Sequence, residues 1–137
     1  MPLTFTEPNG KVHSLANPSH EGWMTKQSEW IKDWRRRYFI LKGSKLFFAK
    51  DRNMEPHGMI DLGTCLTVKS APEIKVKKKY AIELATNDRQ VFYMYLTSEQ
   101  EKDLWLGAIG RSIVQSSGTF IDDNYDVDAN SDSGSDD

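Results

Sequence analysis

Lys26, Arg35 and Arg37 are the residues whose types and spacing suit one chemistry, the capture of a phosphate group. Side chains alternate between the two faces of an extended strand. In residues 34–41 (WRRRYFIL) that alternation sets Arg35 and Arg37 on one face with Phe39 and Leu41, and Arg36 on the other with Tyr38 and Ile40. With Phe39 and Leu41 turned into a core, Arg35 and Arg37 continue the same line out of its mouth. Two guanidinium forks then converge, an arrangement suited to bidentate contact with phosphate. Lys26 alternates with Met24 on the preceding extended stretch and points the same way. The competing reading is a solvated basic hairpin whose arginines pair with Asp33 or Glu29.

No second chemistry stands out. His13, His20 and His57 are scattered, and Cys65 lies in an apparent strand beside Leu66. They form no metal-ligand spacing and no nucleophile motif, and the chain has no phosphate-cradling glycine loop. No catalytic residue, metal or cofactor is expected, and Cys65 reads as a core residue. Trp30, Trp34, Tyr38, Phe47 and Phe48 interleave with basic residues as a nucleic-acid stacking surface does, but they alternate into the expected core, so no nucleic-acid partner is expected.

The elements that must hold the three cations read as short strands. Residues 22–26, 34–42, 45–50, 59–62, 65–69, 80–85 and 91–96 are seven extended stretches with short connections. Gly43-Ser44 sits at hairpin distance between two of them, and residues 72–79 form a basic loop. The pattern changes at Ser98-Glu99-Gln100-Glu101, a capping box that marks a helix start. Leu104, Trp105, Ala108, Ile109 and Ile113 follow at helical spacing. The expected fold is mostly β: a seven-stranded antiparallel barrel or sandwich capped by one C-terminal amphipathic helix, with Trp105 plugging an open end.

At 137 residues, with 38% hydrophobic and 28% charged, the chain suits one domain. Residues 1–20 lack a sustained period and read as a flexible segment, with Phe5, Val12 or Leu15 docking on the body. Residues 21–115 are the expected domain. Residues 116–137 read as a disordered Ser/Asp-rich tail. A single cysteine permits no internal disulfide, which favours a reducing, cytosolic setting. No apolar run reaches the roughly 18 residues of a spanning helix, and no signal peptide is visible. The net charge of −2 hides a split: residues 118–137 carry seven aspartates and no cation. The rest of the chain carries +5, and residues 22–80 alone carry +8, so the expected partner of that half is anionic.

Residues 22–26 (GWMTK), 32–41 (KDWRRRYFIL) and 45–48 (KLFF), in that order, resemble the first three strands of a pleckstrin homology (PH) domain, and Trp105 matches the tryptophan of that family's C-terminal helix. The resemblance covers residues 21 to about 115. WMTKQSEWIKDWRRRYFILK, CLTVKS and IGRSIVQ further resemble the small single-domain PH proteins of plants, which implies a stand-alone lipid-binding module with phosphatidylinositol 3-phosphate among its ligands. The acylated PH proteins of apicomplexan parasites are a second group to compare. This chain has Pro2 where myristoylation needs glycine, so it departs from an acylated pattern.

The resemblance implies roles for particular residues. Lys26, Arg35 and Arg37 match the family's headgroup-binding K-x(n)-R-x-R. Phe48 stands where binders of trisphosphorylated inositol carry a donating tyrosine, and His57 where they carry a stronger cation before the strand glycine. A monophosphoinositide or phosphatidic acid is therefore expected over a trisphosphorylated lipid. Trp30 and Ile31 at the hairpin tip are the expected membrane wedge, with Lys32 at headgroup level, although Trp30 could also fold back on the barrel. Lys75, Lys77, Lys78 and Lys79 form an auxiliary basic patch for an anionic surface, or a solvated loop. The expectation is a monomeric, cytoplasmic module of signalling or trafficking, peripheral on an endosomal or plasma membrane. A PH-like module that binds a peptide or protein partner is the alternative.

Overall fold

The computed structural model describes residues 3–116. Its strands are β1 (Thr4–Thr6), β2 (Val12–Ser14), β3 (His20–Gln27), β4 (Trp34–Lys42), β5 (Lys45–Ala49), β6 (Gly58–Asp61), β7 (Cys65–Ala71), β8 (Ala81–Thr86) and β9 (Val91–Tyr95). A one-turn helix α1 (Glu73–Val76) lies between β7 and β8, and α2 (Glu99–Ser116) ends the described chain. The seven expected strands form one antiparallel sheet in the order β6-β5-β4-β3-β9-β8-β7, bent on itself and closed by α2.

The periodicity of β4 explains its placement. Phe39 and Leu41 enter the main core with Met24, Leu46, Ile82, Leu84, Met94 and Trp105. Trp105 is 3% exposed and meets the His20 ring edge-on at 4.5 Å, as a plug at one end of the barrel. Helix α2 starts as the capping box predicts, with the Glu101 amide donating to Ser98 Oγ at 3.1 Å. The Glu101 carboxylate reaches back one residue further than expected, accepting from Thr97. In the second half of the helix, Gly110 approaches Val68 and Ser112 Oγ donates to the Gly43 carbonyl at 2.6 Å. Gly43, at φ 59, makes the tight turn between β4 and β5.

The N-terminal segment differs from the expectation of a flexible stretch. β1 and β2 pair as a hairpin, with Phe5 opposite His13. Leu3, Phe5 and the buried Leu15 pack on Tyr38, Ile40 and Phe47, the outward face of β4 and β5. The Leu15 amide donates to the Leu3 carbonyl, the Ser19 amide to that of Leu41, and the Lys42 ammonium to that of Ala16. Three-residue strands are too short to show a period, but β4 is apolar on both faces from Tyr38 onward and requires two covers. Val12, named with Phe5 and Leu15 as a docking residue, is instead 60% exposed. The acidic tail beyond residue 116 lies outside the described residues.

Candidate functional site

The β3–β4 hairpin sets the geometry of the barrel mouth. Lys26 stands directly opposite Arg35, and Met24 opposite Arg37. Cross-strand partners share a face, so Lys26, Arg35 and Arg37 extend the core face of Met24 and Phe39 outward. Arg36 takes the other face, 4.0 Å from the Trp23 ring centroid. Like charges placed opposite each other repel. The structure accommodates this with an Asp33–Arg35 ion pair at 3.3 Å, and Ser28 Oγ donates to the same carboxylate at 2.8 Å. Those donors hold the Asp33 carboxyl below its ordinary range.

Lys26, Ser28, Arg35, Arg37, Phe48 and His57 line a pocket of about 110 Å³. It adjoins an open groove of about 640 Å³ that also meets Trp30, Ile31, Met59, Gln90 and Phe92, within the size range of small-ligand sites (about 300–1,000 Å³). The Lys26 ammonium lies 5.2 Å from the Phe48 ring and 5.3 Å from that of Phe92. Burial lowers its pKa; Glu29 opposes that shift and Arg37 adds to it. The His57 ring stands edge-on to Phe48 at 5.2 Å. Its pKa is lowered by burial and then by Arg37, Lys50 and Lys26. Three cations thus act on one histidine, which marks this pocket as a focus of positive potential. A Cβ on Gly58 would fall 2.3 Å from Phe48, so only glycine lets that ring lie flat across β6.

A PH domain family model matches residues 18–114. The chain belongs to the PH domain family. Pleckstrin homology domain-containing protein 1 of Arabidopsis thaliana is 44% identical over 117 residues, covering 81% of this chain and 79% of that protein. A PH domain-containing protein of Dictyostelium discoideum is 39% identical and matches 80% of this chain, which spans 24% of that longer protein. The C-terminal PH domain of pleckstrin, solved in complex with an inositol pentakisphosphate, superposes with a TM-score of 0.57 at 26% identity. That match covers 67% of this chain and 94% of the pleckstrin domain.

Within this PH domain the sequence-derived residues fall into groups. Lys26, Arg35, Arg37 and His57 are brought together at the pocket. Lys32 is not: it holds the hairpin turn at φ 64, its carbonyl accepting from Gln27 Nε2 at 3.2 Å. Trp30 is 94% exposed and Ile31 68%, so the tryptophan does not fold back. The lysine patch divides. Lys75 pairs with Glu83 at 3.4 Å, Lys78 stacks on Trp34 and Tyr95, and Lys77 and Lys79 are exposed. Residues 72–79, expected as a loop, contain the single turn α1. Sequence reasoning missed Ser28 and Lys50. Lys50 was within reach, because it follows Leu46 and Phe48 at spacing two just past the end of β5, the same outward extension that located Arg35 and Arg37.

Among the described residues no group of three His, Cys, Asp or Glu could hold a metal ion. Burial pushes the Cys65 thiol up to about 11, which keeps it protonated and unreactive. No helix among the described residues is long and apolar enough to cross a membrane.

Proposed function

We propose that this PH domain binds the phosphorylated headgroup of an anionic phospholipid at the barrel mouth and so brings the chain to a membrane. The carrying observation is the pocket in which Lys26, Arg35 and Arg37 converge beside an exposed Trp30. Guanidinium forks and an ammonium take the phosphate, and the tryptophan enters the bilayer interface. The headgroup is a monophosphoinositide or phosphatidic acid rather than a trisphosphorylated inositol. Phe48 offers no hydrogen bond and Arg35 is already engaged by Asp33. The inositol pentakisphosphate bound by the related pleckstrin domain supports phosphorylated inositol as a ligand class, and the preference for fewer phosphates rests on Phe48 and Asp33 alone. For the peptide-binding alternative, the seam between β7 and α2 is one edge to consider, and Lys102 donating to Ser70 at 2.9 Å bridges it.

The test is sedimentation with phosphatidylcholine vesicles carrying phosphatidylinositol 3-phosphate, phosphatidic acid or phosphatidylinositol 3,4,5-trisphosphate. Arg37→Ala should weaken binding roughly 30-fold, the effect of losing about 2 kcal/mol of charge-assisted hydrogen bonding. Full binding by Arg37→Ala would reject the pocket. Clear preference for the trisphosphate would reject the headgroup assignment.

A further inference from the structure

Ile74 is 85% exposed, second only to Trp30 among the exposed large hydrophobic residues described. It sits on α1, within a β7–β8 loop that also carries Lys75, Lys77, Lys78 and Lys79. A single exposed apolar side chain is ordinary on a protein surface. This one differs in its surroundings. The Lys78 ammonium lies 5.9 Å from the Trp34 ring and 5.3 Å from that of Tyr95, and those two rings meet at 5.1 Å. Trp34 opens β4, so this stack docks the β7–β8 loop beside the hairpin whose tip holds Trp30 and Ile31.

The loop is also held in shape. Lys75 is tied to Glu83 at 3.4 Å and lies 5.6 Å from the Tyr93 ring. Lys77 and Tyr80 adopt left-handed backbone, φ 65 and 56, where residues with a Cβ are rare. Such positions persist when the surrounding structure imposes them. The result is a preset turn that presents one isoleucine outward among cations.

We propose that the β7–β8 loop is a second bilayer contact, in which Ile74 enters the interfacial layer while Lys77 and Lys79 stay among anionic headgroups. This rests on the lipid-binding reading above and extends it from one point of contact to two. Lysine stems lie along apolar surface while their ammonium groups stay in water, and each adds attraction to an anionic leaflet. Because the first contact has already brought the loop to the surface, the second acts at high effective concentration. Two separate points also fix the tilt of the domain, which Trp30 alone leaves free.

The full chain with Ile74→Cys carries an environment-sensitive nitrobenzoxadiazole probe there. Cys65 is buried and its thiol protonated, so it does not compete for the label. Val12→Cys is the control: Val12 is also exposed, and its neighbour Lys11 acts on Asp61, which pairs with Lys45 at the far end of the barrel. Phosphatidylcholine vesicles with phosphatidylinositol 3-phosphate, and others with phosphatidic acid, should shift the Ile74 probe to the blue and leave the Val12 probe unchanged. Ile74→Ser should lower vesicle partitioning roughly tenfold and leave affinity for soluble inositol 1,3-bisphosphate unchanged. If wild type binds these vesicles and neither effect appears, the second contact is wrong and the pocket stands. If wild type binds no anionic vesicle, the lipid reading fails and this contact fails with it.

Discussion

On the proposed headgroup reading, Asp33 is the group an incoming phosphate would displace from Arg35. Their ion pair is about half exposed on each side, so it is weak and exchangeable. Asp33→Asn keeps the acceptor for Ser28 and removes the charge. It should tighten binding to phosphatidylinositol 3-phosphate vesicles about threefold; weaker binding would mean that Asp33 shapes the site rather than competing for it. His57 is the group expected to give stability and headgroup binding a pH dependence. Its pKa lies below the ordinary 6.5 because burial and then Arg37, Lys50 and Lys26 disfavour its charged form. The unfolded chain therefore takes up this proton first, so the stability His57 contributes is present above pH 6.5 and lost as the pH falls through its folded value. Ligand binding has the opposite sign. A bound phosphate offsets the three cations, raises the histidine pKa and couples binding to proton uptake. Between about pH 7.5 and 5.5 the affinity of wild type should rise relative to His57→Gln, measured on the same vesicles so that headgroup titration cancels. A ratio that is flat with pH would place His57 outside the binding site.

The elements divide by how plainly they are written in the sequence. β4 could be read because Phe39, Leu41 and the arginines alternate over nine residues, and α2 because Ser98 caps a run of apolar residues at helical spacing. The pocket was legible for the same reason, since Lys26, Arg35 and Arg37 are continuations of core-facing rows. The β1–β2 hairpin was not. Its strands are three residues each, and the reason it folds lies elsewhere in the chain, in Tyr38, Ile40 and Phe47. Ser28 escaped because its part in the site depends on the fold of the hairpin tip, not on any period. The hairpin's importance can be measured. Leu15→Ala should cost about 2–5 kcal/mol in denaturant unfolding, the usual range for a buried leucine. Vesicle binding by the folded fraction should be unchanged. A cost below ~1 kcal/mol would mean that the hairpin rests on the sheet without supporting it.

The whole molecule is a charge-separated object. Lys26, Arg35 and Arg37 gather at the mouth, and seven aspartates lie in residues 118–137. β4 from Arg37 to Lys42 spans about 15–20 Å. Twenty extended residues reach up to roughly 70 Å, so an acidic segment starting beyond Ser116 is long enough to compete for the pocket. Deleting residues 118–137 should raise affinity for anionic vesicles at low salt, and the gain should shrink near 0.1 M, where the screening length is about 10 Å. An unchanged affinity at every salt concentration would assign the segment no part in binding. The Ser112–Gly43 hydrogen bond, which anchors the end of α2 at the turn farthest from Lys26, has one more consequence. It gives the domain a polarity, with an adhesive pole and a trailing pole. If the domain docks through the pocket, a fluorescent protein fused after Ser116 would ride on the side facing away from the bilayer, which makes that end the natural attachment point for a membrane reporter.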